Sequence, residues 1–350
     1  MTVDVPLLAR ICEAPGAPGF EKPIRDLVRK ELEEFGDAVR VDGMGSVVVH
    51  VKGQSSEKKV MAAAHMDEIG FIVTHIDDQG FLRFNPIGGF DAKTLTAQRV
   101  IVHGKEDIVG VMGTKPIHIM SDEERRKLPK IEDYFIDLGL SKSEVEKVVS
   151  VGDSVTRERN LIEMGDCVNV KSLDNRASVY LLIETLRKLK DTPPAYDFYG
   201  VFTVQEEVGI RGANASALEI QPDFGFGLDT TIAFDTPGAK PEERCTQLGK
   251  GAGIKLMDSS VICDQRMVAY LKSVAGKHEI TWQPEILKRG GTDTAGIQRM
   301  SPGGAIAGAI SIPTRNVHQV IEMCHKDDIA NAIELLTAAL VELDQWDWRP

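Results

Sequence analysis

KVMAAAHMDEIG, residues 59–70, is the stretch of sequence that decides the fold class. Residues 59–65 form an almost continuous apolar run, which predicts a β-strand covered on both faces, as in a parallel sheet. The run ends directly in His65, and Asp67 follows two residues later. Because side chains two residues apart in an extended chain point to the same side, these two polar groups are expected to face one site.

Strands and helices alternate on either side of this run. Before it, residues 21–35 carry apolar side chains at helical spacing, and two short β-like runs meet at the hairpin signal Asp42-Gly43. The alternation predicts an α/β fold with a mainly parallel sheet flanked by helices, which binds ligands beyond the carboxyl ends of its strands. After Cys167 the predicted helices are residues 175–190, 260–275 and 327–343, and the predicted strands are residues 197–204, 223–229, 278–284 and 303–309.

The pattern of apolar residues and glycines changes between residues 70 and 165. The apolar runs become short, β-rich and often interrupted by glycine, and a charged stretch, SDEERRK, follows at residues 121–127. This pattern predicts a small β-rich domain at residues 70–165, inserted into a larger α/β domain made of residues 1–69 and 166–350. The charged stretch is interpreted as a solvated face or loop.

Composition excludes several classes of partner. The formal net charge of −12 disfavours binding to a phosphate backbone, so no nucleic-acid partner is expected. The N-terminal residues lack the basic start and apolar core of a secretory signal, and no apolar run approaches the ~20 residues that cross a bilayer. The five cysteines are scattered and form no Cys-x-x-Cys pair, which favours reduced thiols and a cytoplasmic location.

Two candidate sites lie in the first half of this pattern. His65 with Asp67 could form a metal ligand whose second ring nitrogen is held by a carboxylate, or simply a polar strand end. Asp174, in SLDNRAS (residues 172–178), precedes a long predicted helix. Capping that helix is its simplest interpretation, and a carboxylate that bridges two metals is the alternative.

Three further candidates follow later strands. Glu206 and Glu207 are adjacent carboxylates after a buried strand, and the cost of desolvating both suggests a nearby cation. Two exposed glutamates at the start of a loop are the alternative. Their side chains point in different directions, so one could bind metal while the other acts as a general base. Asp229 ends an apolar run and could be a ligand or a turn former, with Asp235 as its runner-up. His318 follows a strand-like segment, and a lone histidine in such a place is more often a surface or core residue than a ligand.

Together, these histidines and carboxylates have the chemistry of a metal centre. Mixed imidazole and carboxylate ligation suits zinc, cobalt or manganese. Two such ions ~3.5–4 Å apart can activate a shared water and polarise a scissile carbonyl. The glycine-rich loop RGGTDTAG, residues 289–296, lacks the lysine of a phosphate-binding loop and reads either as a pocket loop or as a turn into a helix.

The chain also resembles a known family. It is similar to the tetrahedral, dodecameric metalloaminopeptidases, which include glutamyl and deblocking aminopeptidases and proteins labelled cellulase or endoglucanase. The matching motifs occur in the family order along nearly the whole chain. They are AAHMDEIGFIV (63–73), GVMGTKPIHIMSDEERRK (110–127), IEDYFIDLG (131–139), VGDSV (151–155), SLDNRAS (172–178), VQEEVGIRGA (204–213), LDTTIAFDTPG (228–238), GGTDTAG (290–296) and IPTRNVH (312–318).

The resemblance implies a role for each candidate residue. It implies a metal-dependent aminopeptidase that removes N-terminal residues from short peptides with a water shared by two divalent cations. His65 and Asp229 would hold one cation, Glu207 and His318 the other, and Asp174 would bridge them. Glu206 would be the general base, and Asp67 would orient His65. The family fold also implies that the inserted domain is a β-barrel-like dimerisation domain, and that dimers assemble into a dodecamer.

Three alternatives remain open from the sequence. A glycosidase would use two carboxylates and no metal, but the adjacent Glu206 and Glu207 diverge too much to flank one sugar bond. A catalytically inactive assembly protein would lack at least one ligand, and all are present here. A metal-dependent deacylase or carboxypeptidase on a related fold would differ in its substrates.

Overall fold

The computed structural model describes residues 2–349, which form an 11-stranded sheet, a separate closed barrel and the helices that pack around them. The helices are α1 (Val5–Glu13), α2 (Lys22–Glu31), α3 (Asp122–Arg126), α4 (Lys142–Val148), α5 (Leu173–Leu189), α6 (Arg211–Ile220), α7 (Gln265–Lys277), α8 (Asp293–Met300) and α9 (Lys326–Val341). The strands are β1 (Val39–Val41), β2 (Val47–Val51), β3 (Ser55–His65), β4 (Gly70–Ile76), β5 (Leu82–Ile87), β6 (Arg99–His103), β7 (Asp107–Gly113), β8 (Phe135–Asp137), β9 (Ser154–Arg157), β10 (Ile162–Met164), β11 (Cys167–Val170), β12 (Tyr196–Thr203), β13 (Phe224–Ile232), β14 (Ala252–Met257), β15 (Trp282–Ile286), β16 (Ile306–Arg315) and β17 (Glu322–His325).

The large sheet has a parallel centre and antiparallel margins. Its order is β1-β2-β12-β3-β13-β16-β17-β11-β10, with β14 and β15 branching from β16. The neighbours β12, β3, β13 and β16 run parallel, whereas β2 joins β12, and β17 joins β16, in antiparallel fashion. The predicted α/β class is therefore confirmed. The margins are antiparallel because hairpins such as β1–β2 and β10–β11 need only a short turn, while parallel neighbours need a crossover.

Strand β3 is covered on both faces, as its apolar run predicted. Val60, Ala62 and Ala64 belong to the core cluster formed with α1, α5, α7 and α9. Met61 and Ala63 point the other way, into the cluster formed with α6 and α8. The side chains that alternate along β3 therefore pack against helices on both faces of the sheet. The predicted strand at 278–284 begins later, at Trp282, because residues 278–281 complete the turn after α7.

Glycines allow helix α8 to lie against β13. A Cβ atom on Gly227 would lie 1.8 Å from Thr294 Oγ1, and one on Gly225 would lie 2.3 Å from the Ile297 Cγ2 atom. Neither distance is possible without movement of the helix or the sheet. Close contact between α8 and the sheet therefore requires glycine at these two positions of β13.

We expect Gly227→Ala to lower the free energy of unfolding by about 1–3 kcal/mol, because overpacking forces a backbone shift. Thermal and urea denaturation would measure the change. Gly276→Ala is the matched control: Gly276 is in helix α7, and a Cβ there meets nothing within 4 Å. That variant should be as stable as the wild type or slightly more stable. Equal stability of the two variants would contradict the packing argument.

The barrel lies between β3 and β11 in the chain. Its strands close in the order β4-β5-β8-β7-β6-β9, from Gly70 to Arg157, around a separate apolar core. Strand β10 pairs with β11 in the large sheet, so the barrel strands end before the predicted boundary at 165/166. The division into residues 1–69 with 166–350 and residues 70–165 stays a prediction. Within residues 2–349, no helix has the length and apolar character needed to cross a bilayer.

Candidate active site

The carboxyl ends of three parallel strands meet at one edge of the large sheet. His65 is the last residue of β3 and pairs in register with Thr203, the last residue of β12. Glu206 and Glu207 follow β12, and Asp229 lies near the end of β13. Crevices beyond the carboxyl ends of parallel strands are the usual ligand sites of α/β sheets, and these polar side chains lie in such a position.

Asp174 joins this edge from the start of helix α5. The N-cap of the helix is Ser172, which has a left-handed backbone and makes no side-chain capping bond. The backbone of Asp174 is itself not helical (φ −78°, ψ 104°). Its carboxylate points at two imidazoles: Oδ1 lies 3.4 Å from His65 Nε2, and Oδ2 lies 3.3 Å from His318 Nε2. The simpler interpretation of Asp174 as a helix cap is therefore wrong.

The five predicted ligands form two groups that share Asp174. In the first group, His65, Asp174 and Asp229 place their ligand atoms within 4.8 Å of one another, and Asp174, Glu207 and His318 do the same in the second. His65 Nε2 lies 3.8 Å from Asp229 Oδ1, and His318 Nε2 lies 3.4 Å from Glu207 Oε2. Glu206 belongs to neither group, although its Oε2 atom lies 3.7 Å from His65 Nε2.

Both imidazoles are held through their second ring nitrogen. The Nδ1 atom of His65 lies 3.1 Å from the main-chain oxygen of Asp67 and 3.5 Å from its Oδ1 atom. The Nδ1 atom of His318 lies 2.9 Å from the main-chain oxygen of Gly89, between β5 and β6 of the barrel. Contacts of this kind set the tautomer of a histidine and leave Nε2 free to bind a metal.

The Asp67 carboxylate also holds the loop after β12. Its Oδ1 and Oδ2 atoms accept hydrogen bonds from the N–H groups of Glu206 and Glu207, both at 3.0 Å. The preceding N–H, that of Gln205, donates to Glu21 Oε1 at 3.2 Å. Three consecutive amides are therefore fixed by two buried carboxylates. The sequence singled out Asp67 only as a partner of His65, and it did not single out Glu21.

Burial places an electrostatic cost on the carboxylates of the site. Burial raises the pKa of Glu206 and of Asp229 well above its ordinary value, and it raises the pKa of Glu207 as well. Repulsion by neighbouring carboxylates adds to this effect, while the facing imidazoles oppose it. Burial and mutual repulsion thus disfavour negative charge on these groups, as expected of a cluster that needs positive charge.

The imidazoles respond in the opposite sense. Burial works against a charged His318, but the carboxylates of Glu207 and Asp174 raise its pKa to about 11. For His65 too, hydrogen bonds to Asp174 and Asp67 outweigh burial and raise the pKa well above the ordinary value. The side chain of Asp174 is only 10% exposed, which disfavours its charge, yet hydrogen bonds from both histidines lower its pKa. Two imidazoles and three carboxylates form a donor set that suits divalent cations, which would supply the missing positive charge.

The remaining candidates of the sequence have structural partners elsewhere. Asp235, the runner-up to Asp229, forms a two-point ion pair with Arg315, with N–O distances of 2.6 and 2.7 Å. The glycine-rich loop leads into helix α8, in agreement with its interpretation as a turn into a helix. Asp293, the first residue of that helix, is buried and accepts a hydrogen bond from the Thr203 hydroxyl beside the site.

Several charged residues around the site were not singled out from the sequence. Glu68 is completely buried and pairs with Lys171 Nζ at 2.7 and 2.8 Å. Glu322 and Arg157 are buried beside His318, whose main chain they contact. Single charged residues in β-rich stretches are usually solvated, so their burial here depends on the tertiary structure.

Fold and site together define a class of protein: an α/β protein with a histidine–carboxylate cluster that could hold metal ions at the carboxyl edge of its sheet, and with a β-barrel inserted in the chain after β3. The family model of M42 glutamyl aminopeptidases matches residues 45–335. The chain therefore belongs to the M42 glutamyl aminopeptidase family. This membership confirms both the resemblance seen in the motifs and the predicted class of enzyme, an aminopeptidase.

Individual relatives match over almost the whole chain. A lysyl aminopeptidase of Pyrococcus furiosus is 34% identical over 99% of this chain and 100% of its own length. An aminopeptidase structure from the archaeon Desulfurococcus kamchatkensis has a TM-score of 0.92 at 37% identity, covering 97% of this chain and 94% of that one. The TET1 peptidase of Pyrococcus horikoshii, described as assembling into a tetrahedron or a large octahedral shell, has a TM-score of 0.86 at 31% identity, with 97% and 99% covered.

Proposed function

We propose that this aminopeptidase removes N-terminal residues from short peptides with two divalent cations held by the two groups of the candidate site. One observation carries the proposal. The two oxygens of Asp174 face different imidazoles, His65 at 3.4 Å and His318 at 3.3 Å, so one carboxylate is shared by two potential metal positions. A shared carboxylate is the feature that distinguishes a two-metal site from two separate ones.

The proposed ligands follow from these groups. His65 and Asp229 would hold one cation, Glu207 and His318 would hold the other, and Asp174 would contribute to both positions. Imidazole and carboxylate donors suit zinc or cobalt, and manganese is a further candidate. When bound, two such cations activate a shared water and polarise the scissile carbonyl.

Glu206 is the proposed general base. It belongs to neither group, its Oε2 atom lies 3.7 Å from His65 Nε2, and burial raises the pKa of its carboxyl well above the ordinary value. A base with a raised pKa can accept a proton from water and return it to the leaving amine. Asp67 supports this role because it holds the main-chain N–H of Glu206 and also contacts the ring of His65.

The proposed assembly uses the barrel. Large apolar side chains are exposed on it, among them Val109 and Val111 of β7, together with Ile117, Ile119 and Leu128 in the following segment. Exposed apolar clusters mark interaction surfaces, so we propose that the barrel forms the dimer contact and that dimers build a dodecamer. The tetrahedral assembly of the Pyrococcus horikoshii relative supports this proposal. All five cysteines are free, which supports a cytoplasmic location.

The decisive experiment is metal reconstitution. We expect chelator-stripped protein to cleave none of a panel of aminoacyl-nitroanilides, and activity to return as two equivalents of zinc, cobalt or manganese bind per subunit. The stripped protein should also unfold at a lower temperature, because binding to the folded state alone adds about 2.7 kcal/mol when the free ion is at 100 times its Kd.

A second panel tests the kind of peptidase. N-acylated versions of the same substrates have no free amino group and should not be cleaved, whereas a deacylase would prefer them. Full activity in the presence of chelator, or full activity with one equivalent of metal, would contradict the two-metal proposal. Activity on N-acylated substrates alone would contradict aminopeptidase action.

A further inference from the structure

Glu322 links two segments of the candidate site through one carboxylate. It is the first residue of β17, and 1% of its surface is exposed. Its Oε1 atom accepts a hydrogen bond from the N–H of His318 at 2.8 Å, and its Oε2 atom accepts one from the N–H of Asp174 at 2.9 Å. The main chains of a proposed bridging ligand and of a proposed terminal ligand therefore have the same acceptor.

His318 needs such support because its backbone is strained. Its φ is 66°, in the left-handed region that residues other than glycine rarely adopt. Such a conformation costs on the order of 1–3 kcal/mol and persists only where surrounding contacts impose it. Here, contacts act on three sides: Glu322 holds the N–H, Arg157 Nη1 donates to the main-chain oxygen at 3.0 Å, and Gly89 holds the ring.

Asp174 has a similar requirement. Its backbone departs from the helix that follows, so the position of its carboxylate is not set by helical geometry. Its N–H donates to Glu322, which is on the strand that follows the His318 loop. Loss of this acceptor would release the start of α5 and the His318 loop from each other.

We propose that Glu322 is a positioning residue for the metal site, which fixes Asp174 relative to His318 and thereby shapes the position made by Asp174, Glu207 and His318. This inference rests on the proposed two-metal function. It predicts unequal effects on the two cations. The position that contains His318 depends on both hydrogen bonds of Glu322, whereas His65 and Asp229 lie on β3 and β13 and are held by the sheet.

The chain offers a matched control in Asp328. Its carboxylate is also completely buried, and it also accepts two main-chain hydrogen bonds, from Gly249 at 2.8 Å and from Gly251 at 2.7 Å. Neither glycine belongs to the proposed site. Asp328→Asn therefore reproduces the general cost of altering a buried carboxylate that holds two amides, without touching the proposed ligands.

The test is a titration with Co²⁺, monitored by calorimetry and by the visible spectrum of bound cobalt. It compares the full-length, chelator-stripped wild type with Glu322→Gln and Asp328→Asn. An amide side chain keeps the size of Glu322 but has one oxygen for two N–H donors. We expect Glu322→Gln to lower the affinity for one of the two Co²⁺ ions about 10–100-fold, which is the usual effect of losing a residue that orients a ligand. The other ion should lose less affinity, because its position shares only Asp174 with the two hydrogen bonds of Glu322, and Asp328→Asn should bind both normally.

Each outcome decides between the possibilities. Wild-type affinity for both ions in Glu322→Gln, or an equal loss in Asp328→Asn, would overturn the positioning role. If wild type itself binds fewer than two ions, the proposed two-metal function fails instead. Should Glu322→Gln not fold, Glu322→Asp decides: its shorter carboxylate cannot reach both amides, so weaker binding of one ion supports the role and unchanged binding overturns it.

Discussion

Glu206→Gln is expected to reduce kcat for aminoacyl-nitroanilide cleavage by about 10²–10⁴-fold, the range contributed by general acid–base catalysis. Glutamine keeps the size of the side chain but cannot accept a proton near neutral pH. Glu206 belongs to neither of the two potential ligand groups, so the variant should still bind two metal ions. Its main-chain N–H bond to Asp67 should also persist, because the substitution leaves the backbone unchanged.

Glu207→Gln provides the matched comparison. It changes the adjacent residue in the same way, and its N–H bonds the same Asp67 carboxylate at the same distance of 3.0 Å. Here, however, the side chain faces His318, with a distance of 3.4 Å between Oε2 and Nε2. We expect this variant to lose affinity for one metal ion, and to regain some activity when excess metal is added.

Steady-state kinetics with metal analysis of both variants would separate the two roles. For Glu206→Gln, kcat should fall at an unchanged metal content of two ions per subunit, and excess metal should not rescue it. If Glu206→Gln kept full turnover, or if added metal restored its kcat, Glu206 would not be the base. If the two variants behaved alike, the division between base and ligand would be wrong.

Asp174→Asn should have the largest effect on metal binding. Both oxygens of Asp174 face imidazoles, so one substitution removes a charged donor from both potential metal positions. Loss of a residue that only orients a metal ligand weakens metal binding about 10–100-fold. Because Asp174 is itself a proposed ligand, we expect the affinity for each ion to fall by more than this. Turnover at micromolar metal should become undetectable.

His318→Gln is the control for this second prediction. It removes one imidazole from one group only, so one ion should stay bound with near wild-type affinity. Calorimetric titration of the stripped proteins would count the ions and give each Kd. Retention of one tightly bound ion by Asp174→Asn would show that this carboxylate does not bridge, and the two-metal proposal would have to be abandoned.

Local patterns were sufficient to predict the candidates on the central strands. The apolar run at residues 59–65 predicted a strand covered on both faces, and the structure confirms this with two helical layers around β3. Since parallel strands end at one edge, His65, Glu206 and Asp229 could be expected to lie together. Alternation and strand direction are properties of the chain itself, and they need no knowledge of distant contacts.

Asp174 and His318 could not be assigned in that way. From the residues alone, a helix cap was the better interpretation of Asp174, and a surface or core residue was the better interpretation of His318. Only the resemblance to a family attached roles to them. In the structure, the non-helical start of α5 and the left-handed backbone at His318 bring both side chains to the sheet edge. Neither conformation leaves a signal in hydrophobic periodicity.

The sequence by itself determined the α/β class, the inserted β-rich segment, the family and the polar residues that end the central strands. The tertiary structure alone decided that Asp174 faces two imidazoles, that Gly89 of the barrel holds His318, and that Glu322 joins two distant segments. The physical reason is the range of each interaction. Periodic burial is repeated every two to four residues and can be read locally, whereas a hydrogen bond between segments far apart in the chain depends on how whole elements pack.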